Sequence, residues 1–167
     1  MTNRRTLLTF ATLGTSVAIA LPSALRAADS CPPSRTSSVN AAILDRYVAA
    51  INSLDVSAFP GIFADGYIQH SGRSPSGLSA QIENAQRLHA AWPDLHMQVE
   101  DRIIDANKVV ARCLYAATHT QTVRGFAPTG RKITFVTIDI WRVEGEKFAE
   151  HWDLVDLAGM EKQLAGK

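Results

Sequence analysis

Hydrophobic positions along this chain change period part-way, and the change separates two kinds of element. Between residues 37 and 92 the apolar residues recur every three or four places. Ile43, Leu44, Tyr47, Val48 and Ile51 form one such stripe and predict a helix that Ser37 or Ser38 can cap. A short second helix is expected over Val56–Phe63, interrupted at Pro60-Gly61. Tyr67-Ile68-Gln69-His70 reads as a brief strand ending in the loop SGRSPSG. Leu78, Ile82, Ala85, Leu88 and Trp92 mark one face of a third helix, which Pro93 stops.

Beyond Pro93 the period falls to two. Strands are predicted over 95–104, 108–120, 133–143 and 147–156. Asp105-Ala106-Asn107, the loop VRGFAPTG and Glu144-Gly145-Glu146 separate them. A last short helix covers 157–164. Helices first and a long meander after predict an α+β domain, its curved antiparallel sheet wrapped around the N-terminal helices. A sheet that curls to bury one face leaves a conical central pocket.

The ends of the chain change this picture. MTNRRTLLTF opens with Arg4-Arg5, an apolar run follows from Leu7 to Leu21, and small residues precede a cleavage point after Ala27. That pattern predicts an export signal over 1–27, of twin-arginine type or, if the arginines only supply charge, an ordinary Sec signal, and a periplasmic or secreted protein. Residues 28–38 are rich in Ser and Pro and read as a linker, leaving 39–167 as the domain. Losing 1–27 removes three arginines and no acids, which takes the formal net charge from +1 to −2. No basic run remains to favour a nucleic-acid partner, and no membrane attachment is expected after the signal is removed. The two cysteines, Cys31 and Cys113, permit a disulfide in an oxidising compartment. A buried free thiol at Cys113 is the alternative.

The candidate chemistry lies in the last hairpin. A three-residue loop at 144–146 would put Asp139 on one face with His151 and Asp153, together with Phe135, Thr137 and Trp141. A two-residue loop would instead set Glu150, Trp152 and Leu154 beside Asp139. The opposite row, Val136, Ile138 and Ile140, suits a subunit interface. In a functional reading Asp153 or Asp139 is a general base in an apolar pocket. In a structural reading Asp139 and His151 satisfy each other, while Asp153 caps the final helix or pairs with an arginine. His70 and His119 are either pocket donors or loop residues. No HxH, HxxxH or Cys-His spacing supports a metal site, and no phosphate or dinucleotide motif is present.

Four pieces together resemble the SnoaL-like polyketide cyclase, or ester cyclase, family. They are His70 and Gly77 with a helix ending in AAWPDL; NKVVAR leading into THT; GFAPTGRKITF; and IDIWRVEGEKFAEHWDLVD with MEKQLAG. The resemblance implies the cone-shaped α+β barrel also used by ketosteroid isomerase, scytalone dehydratase and nuclear transport factor 2, often as dimers. It implies an intramolecular aldol closure without metal or cofactor, with an Asp of the last hairpin as acid/base. Asp153 is the match, Asp139 the second choice, and His151 their partner. His70 would line the pocket, with His119, Phe135, Trp141 and Trp152 as further substrate contacts. Two departures stand out: Glu-Gly-Glu-Lys replaces the family's Glu-Asp-Gly-Lys turn, and Ala-Thr-His-Thr-Gln replaces Gly-Thr-His-x-Gly. The resulting expectation is an exported, homodimeric enzyme of cyclase or isomerase type acting on a small apolar carbonyl compound. A non-catalytic periplasmic binding module, or a hydrolase or dehydratase on the same fold, is the alternative.

Overall fold

A computed structural model describes residues 34–166. The stretch read as an export signal, most of that read as a linker, and Cys31 lie outside the described residues. Helix α1 spans Arg35–Asn52, and Ser34 caps it by accepting from the Ser37 N–H at 3.1 Å. The cap is therefore earlier than Ser37 or Ser38, and the helix takes in the end of the stretch read as linker. Its buried residues include Ile43, Leu44, Tyr47 and Ile51, the expected stripe, plus Asn40. That polar intruder is satisfied: its amide donates to the carbonyls of Asp105 and Ala106, which ties α1 to a β-turn.

Val56–Gly61 is a 3-10 turn containing Pro60, not an α-helix. Phe63 already belongs to strand β1, Phe63–Gln69, which is longer than its apolar core suggested. Helix α2 spans Leu78–Ala91. Strands β2 (His96–Ile104), β3 (Lys108–Thr118), β4 (Lys132–Glu144) and β5 (Lys147–Val155) follow, and helix α3, Leu157–Leu164, ends the fold.

The α+β class is as expected, and the sheet order is β1-β5-β4-β3-β2. Two features differ from the expectation. Strand β1 runs parallel to β5, so the sheet is mixed rather than antiparallel throughout. The sheet also stays open, with β1 and β2 at its edges, instead of closing into a barrel. Helices cover one face instead: α1 packs on β2 and β3, α2 on β1, and α3 on β4. Extra residues in β2 and β5 break the ladders and bend the strands around those helices.

One of these bulges decides the site. The β4–β5 turn is a two-residue turn, Gly145-Glu146, with Glu144 opposite Lys147 and both turn residues left-handed (φ 56° and 60°). Left alone, that register would have turned Asp139 away from His151. Ala149 is an extra residue in β5, so Phe148 pairs with Val143 but Glu150 pairs with Arg142. Beyond it Trp141 lies opposite His151, and Asp139 opposite Asp153. The turn is the shorter one, yet the faces are those of the longer one.

Candidate active site

On β4 the odd-numbered residues from Ile133 to Trp141 are buried against the helices. On β5 the bulge puts His151 and Asp153 on that same inner face. Together with α2 and α3 they bound a cavity of about 460 Å³. Leu88, Trp92, Tyr115, Phe135, Val155 and Met160 form its apolar wall, and Asp139, His151 and Asp153 its acidic end.

Two like charges directly opposite on neighbouring strands destabilise a sheet unless each is compensated. Both are. Asp139 accepts from His151 Nε2 at 2.9 Å through Oδ1, and from the Thr137 hydroxyl through Oδ2. Asp153 pairs through Oδ2 with the Arg73 guanidinium. Its other oxygen, Oδ1, is buried and has no hydrogen-bond partner among the described residues. Buried polar atoms are nearly always partnered, so such an acceptor in a cavity wall is a place for a ligand hydrogen.

Gln69 sets the histidine. The Ser71 N–H donates to Gln69 Oε1 at 3.2 Å, which turns the Gln69 amide nitrogen toward His151 Nδ1 at 3.0 Å. Nδ1 then accepts, and the ring hydrogen sits on Nε2, where it is donated to Asp139. Trp141 stacks on the ring (centroids 4.9 Å, planes 7° apart) and locks its orientation. The chain Gln69–His151–Asp139–Thr137 is thus a closed structural network, and Asp153 beside it is the carboxylate with an oxygen to spare.

The phenols of Tyr47 and Tyr115 line the same space. Burial, reinforced by the charge of Asp139, raises both well above the ordinary tyrosine range, and they remain neutral donors. Burial, with Asp139 next in weight, pushes the Cys113 thiol up to about 12; it is a buried thiol, inert as a nucleophile.

Of the sequence-derived site residues, Asp139, His151, Asp153 and Phe135 come together at the cavity. Trp141 is buried behind His151 and is not part of the lining. His70 and Trp152 lie on the outer face: their rings stack at 4.4 Å, and His70 Nε2 is 2.8 Å from Glu150. The reason is parity, because Gln69 faces inward on β1 and sends its neighbour His70 outward. His119 is buried beside Trp92, with Nδ1 3.1 Å from the Thr129 hydroxyl, and does not reach the cavity. Asp156, not Asp153, caps α3, accepting from the Gly159 N–H at 2.8 Å.

Sequence reasoning missed Gln69, Arg73, Gln81, Asn84 and Arg124, all in the lining. Only Gln81 left a signal: it is a polar residue on the buried stripe of α2. Among the described residues no three His, Cys, Asp or Glu side chains converge as metal ligands.

Comparison with known proteins gives a consistent picture. A family model described as SnoaL-like polyketide cyclase matches residues 41–164. The fold is similar to that of TsrD from Streptomyces laurentii, with a TM-score of 0.72 and 24% identity over 81% of this chain and 99% of that one. It is also similar to a SnoaL-like polyketide cyclase from Agrobacterium tumefaciens, with a TM-score of 0.67 and 24% identity over 75% of this chain and 97% of that one. At that identity the likeness is one of fold. No curated protein matches the sequence.

Proposed function

Since the chain belongs to the SnoaL-like polyketide cyclase family, we propose that it is a carbon-acid enzyme whose base is Asp153. Family membership supports a cyclase- or isomerase-type function. The single observation that carries the finer reading is Asp153 Oδ1, a buried carboxylate oxygen in the cavity wall with no partner among the described residues.

The substrate is a carbonyl compound with an acidic C–H beside the carbonyl. Asp153 Oδ1 takes that proton, and the C–H electron pair moves into an enolate. The neutral hydroxyls of Tyr47 and Tyr115 are suited to receive its charge. In an aldol closure the enolate carbon bonds to a second carbonyl carbon. The protonated Asp153 then returns its proton to the new alkoxide, leaving the enzyme unchanged. In an isomerisation the proton returns to another carbon. His151 and Asp139 hold the acidic end of the cavity in shape.

The test is α-deuteration in D2O across ketones, β-keto esters and lactones, read by NMR. Asp153→Asn is nearly isosteric and is expected to keep the fold and slow exchange by about 1,000-fold, within the range of a lost general base. Exchange unaffected by that change removes Asp153 from the chemistry and favours a binding module. The export reading belongs to the same proposal and rests on residues 1–27. A mature protein beginning at Ala28 in the exported fraction supports it, and an intact N-terminus on intracellular protein overturns it.

A further inference from the structure

The cavity carries more hydrogen-bond donors than the chemistry above uses. Gln81 and Asn84 stand nearly one turn apart on α2 and both line it. Neither side-chain amide has a hydrogen-bond partner among the described residues, although Gln81 is only 5% exposed. Arg73 reaches in from the loop after β1. Its side chain is 39% exposed while that of its partner Asp153 is 7% exposed, so this guanidinium sits where the cavity meets solvent. Arg124 lines the same space from a turn, and its φ of 51° is a left-handed conformation that a non-glycine residue adopts only at a cost in free energy. Its other contact is an exposed pair with Glu161 at 2.7 Å, which competes weakly with a ligand.

Both acids of the cavity are already engaged, so these donors face no free anionic oxygen other than Asp153 Oδ1. A planar group with two anionic oxygens is what a guanidinium and two amides would recognise together. We propose that the substrate carries a carboxylate as well as its carbonyl, and that this carboxylate draws Arg73 away from Asp153 and so arms the base. The inference rests on the reading of Asp153 as base, and it names the substrate class as keto acids.

The exchange is chemically balanced. In the empty site one guanidinium pairs with one protein carboxylate. With substrate bound it pairs with the substrate carboxylate, and Asp153 is left a carboxylate without its cation. Such a group in a poorly solvated pocket binds a proton more strongly. The proton comes from the carbon beside the ketone: the C–H bond breaks, an O–H bond forms at Oδ1, and the electron pair passes to the enolate. A compound without the carboxylate leaves Arg73 on Asp153 and exchanges slowly.

The probe is 4-oxo-4-phenylbutanoate beside its methyl ester, which share one carbon acid and differ in charge. Wild-type enzyme should deuterate the acid with a kcat/KM about tenfold or more above that of the ester, as expected for a lost charge-assisted contact. Arg73→Gln should lower exchange of the acid and raise exchange of the ester, opposite signs that a merely structural role cannot produce. Equal rates for acid and ester, or equal losses in Arg73→Gln, overturn the proposal and leave Asp153 as base. Calorimetric titration with the same acid separates the remaining case. Asp153→Asn should bind it more tightly than wild type, because the competing charge is gone, and Arg73→Gln should bind it more weakly. If that order holds with no exchange from either probe, the base reading falls and the carboxylate site stands. No Arg73-dependent binding overturns the site.

Discussion

The last hairpin carries two nearly equivalent clusters on its opposite faces. On the inner face His151 bonds to Asp139 and stacks on Trp141; on the outer face His70 bonds to Glu150 and stacks on Trp152. Each is a histidine, an acid and a tryptophan; the inner set is drawn from β4 and β5, whereas the outer acid and tryptophan both come from β5 and their histidine follows β1. Their surroundings separate them. The inner His and Asp side chains are 8% and 7% exposed, the outer His and Glu 34% and 20%. Outside, Glu150 also takes Arg142 at 2.5 Å, and Lys108 lies over Trp152 at 5.7 Å, so solvent and spare cations screen the pair. Inside, His151 and Asp139 are bonded to each other and held by fixed partners, Gln69 and Thr137, away from solvent. The same residue types therefore make a surface ornament on one face and a preorganised wall on the other.

The largest difference expected between the faces is in activity. Asp153→Asn should cost about 1,000-fold in exchange rate, whereas Glu150→Gln should leave the rate within twofold, roughly the scatter of surface changes. Equal losses would end the distinction between the faces. Next comes packing. Trp141 is buried among Tyr47, Phe148 and His151, so Trp141→Ala should lower stability by about 4 kcal/mol in urea unfolding. Trp152→Ala, on the open face, should lower it by much less. Below Trp141→Ala comes the loss of an inner acid. Asp139→Ala strands the Nε2–H of His151 and the Thr137 hydroxyl, for about 3 kcal/mol.

The outer acid should be the faintest and the most sensitive to pH. The hydrogen bond from His70, then that from Arg142, holds the Glu150 carboxyl below the ordinary range. A depressed carboxyl contributes stability above its unfolded value, about 4.5, and loses it as pH falls through the folded one. Unfolding of wild type and Glu150→Ala should therefore differ slightly at pH 7 and converge on acidification. A difference that grows in acid would reverse the sign argued here.

Much of this site is legible in the sequence. Alternation along 133–143 and 147–156 put acids and aromatics on a strand pair, and the residues on the inner face of β4 were read correctly for one of two registers. Gly145-Glu146 made the shorter turn, from which the wrong face follows. Ala149 then reversed the outcome, and a bulge at an alanine between Phe148 and Glu150 has no signature in composition or period. His70 shows the same ambiguity in miniature: a brief apolar strand does not say which of two adjacent polar residues points inward. Arg73 came from a Ser/Gly/Pro loop, whose path no periodicity describes.

What the sequence by itself determined is the class of the fold, the stripes of its helices, the extents of its long strands and the presence of carboxylates at a pocket wall. These follow from local rules, a period of 3.6 or 2 and the residues that interrupt it. Only the tertiary structure decided which carboxylate is closed off and which has an oxygen free. That depended on a one-residue bulge in β5 and on an arginine reaching Asp153 from eighty residues earlier in the chain. Contacts between residues so far apart in sequence are set by the packing of whole elements, and no local window of the chain contains them.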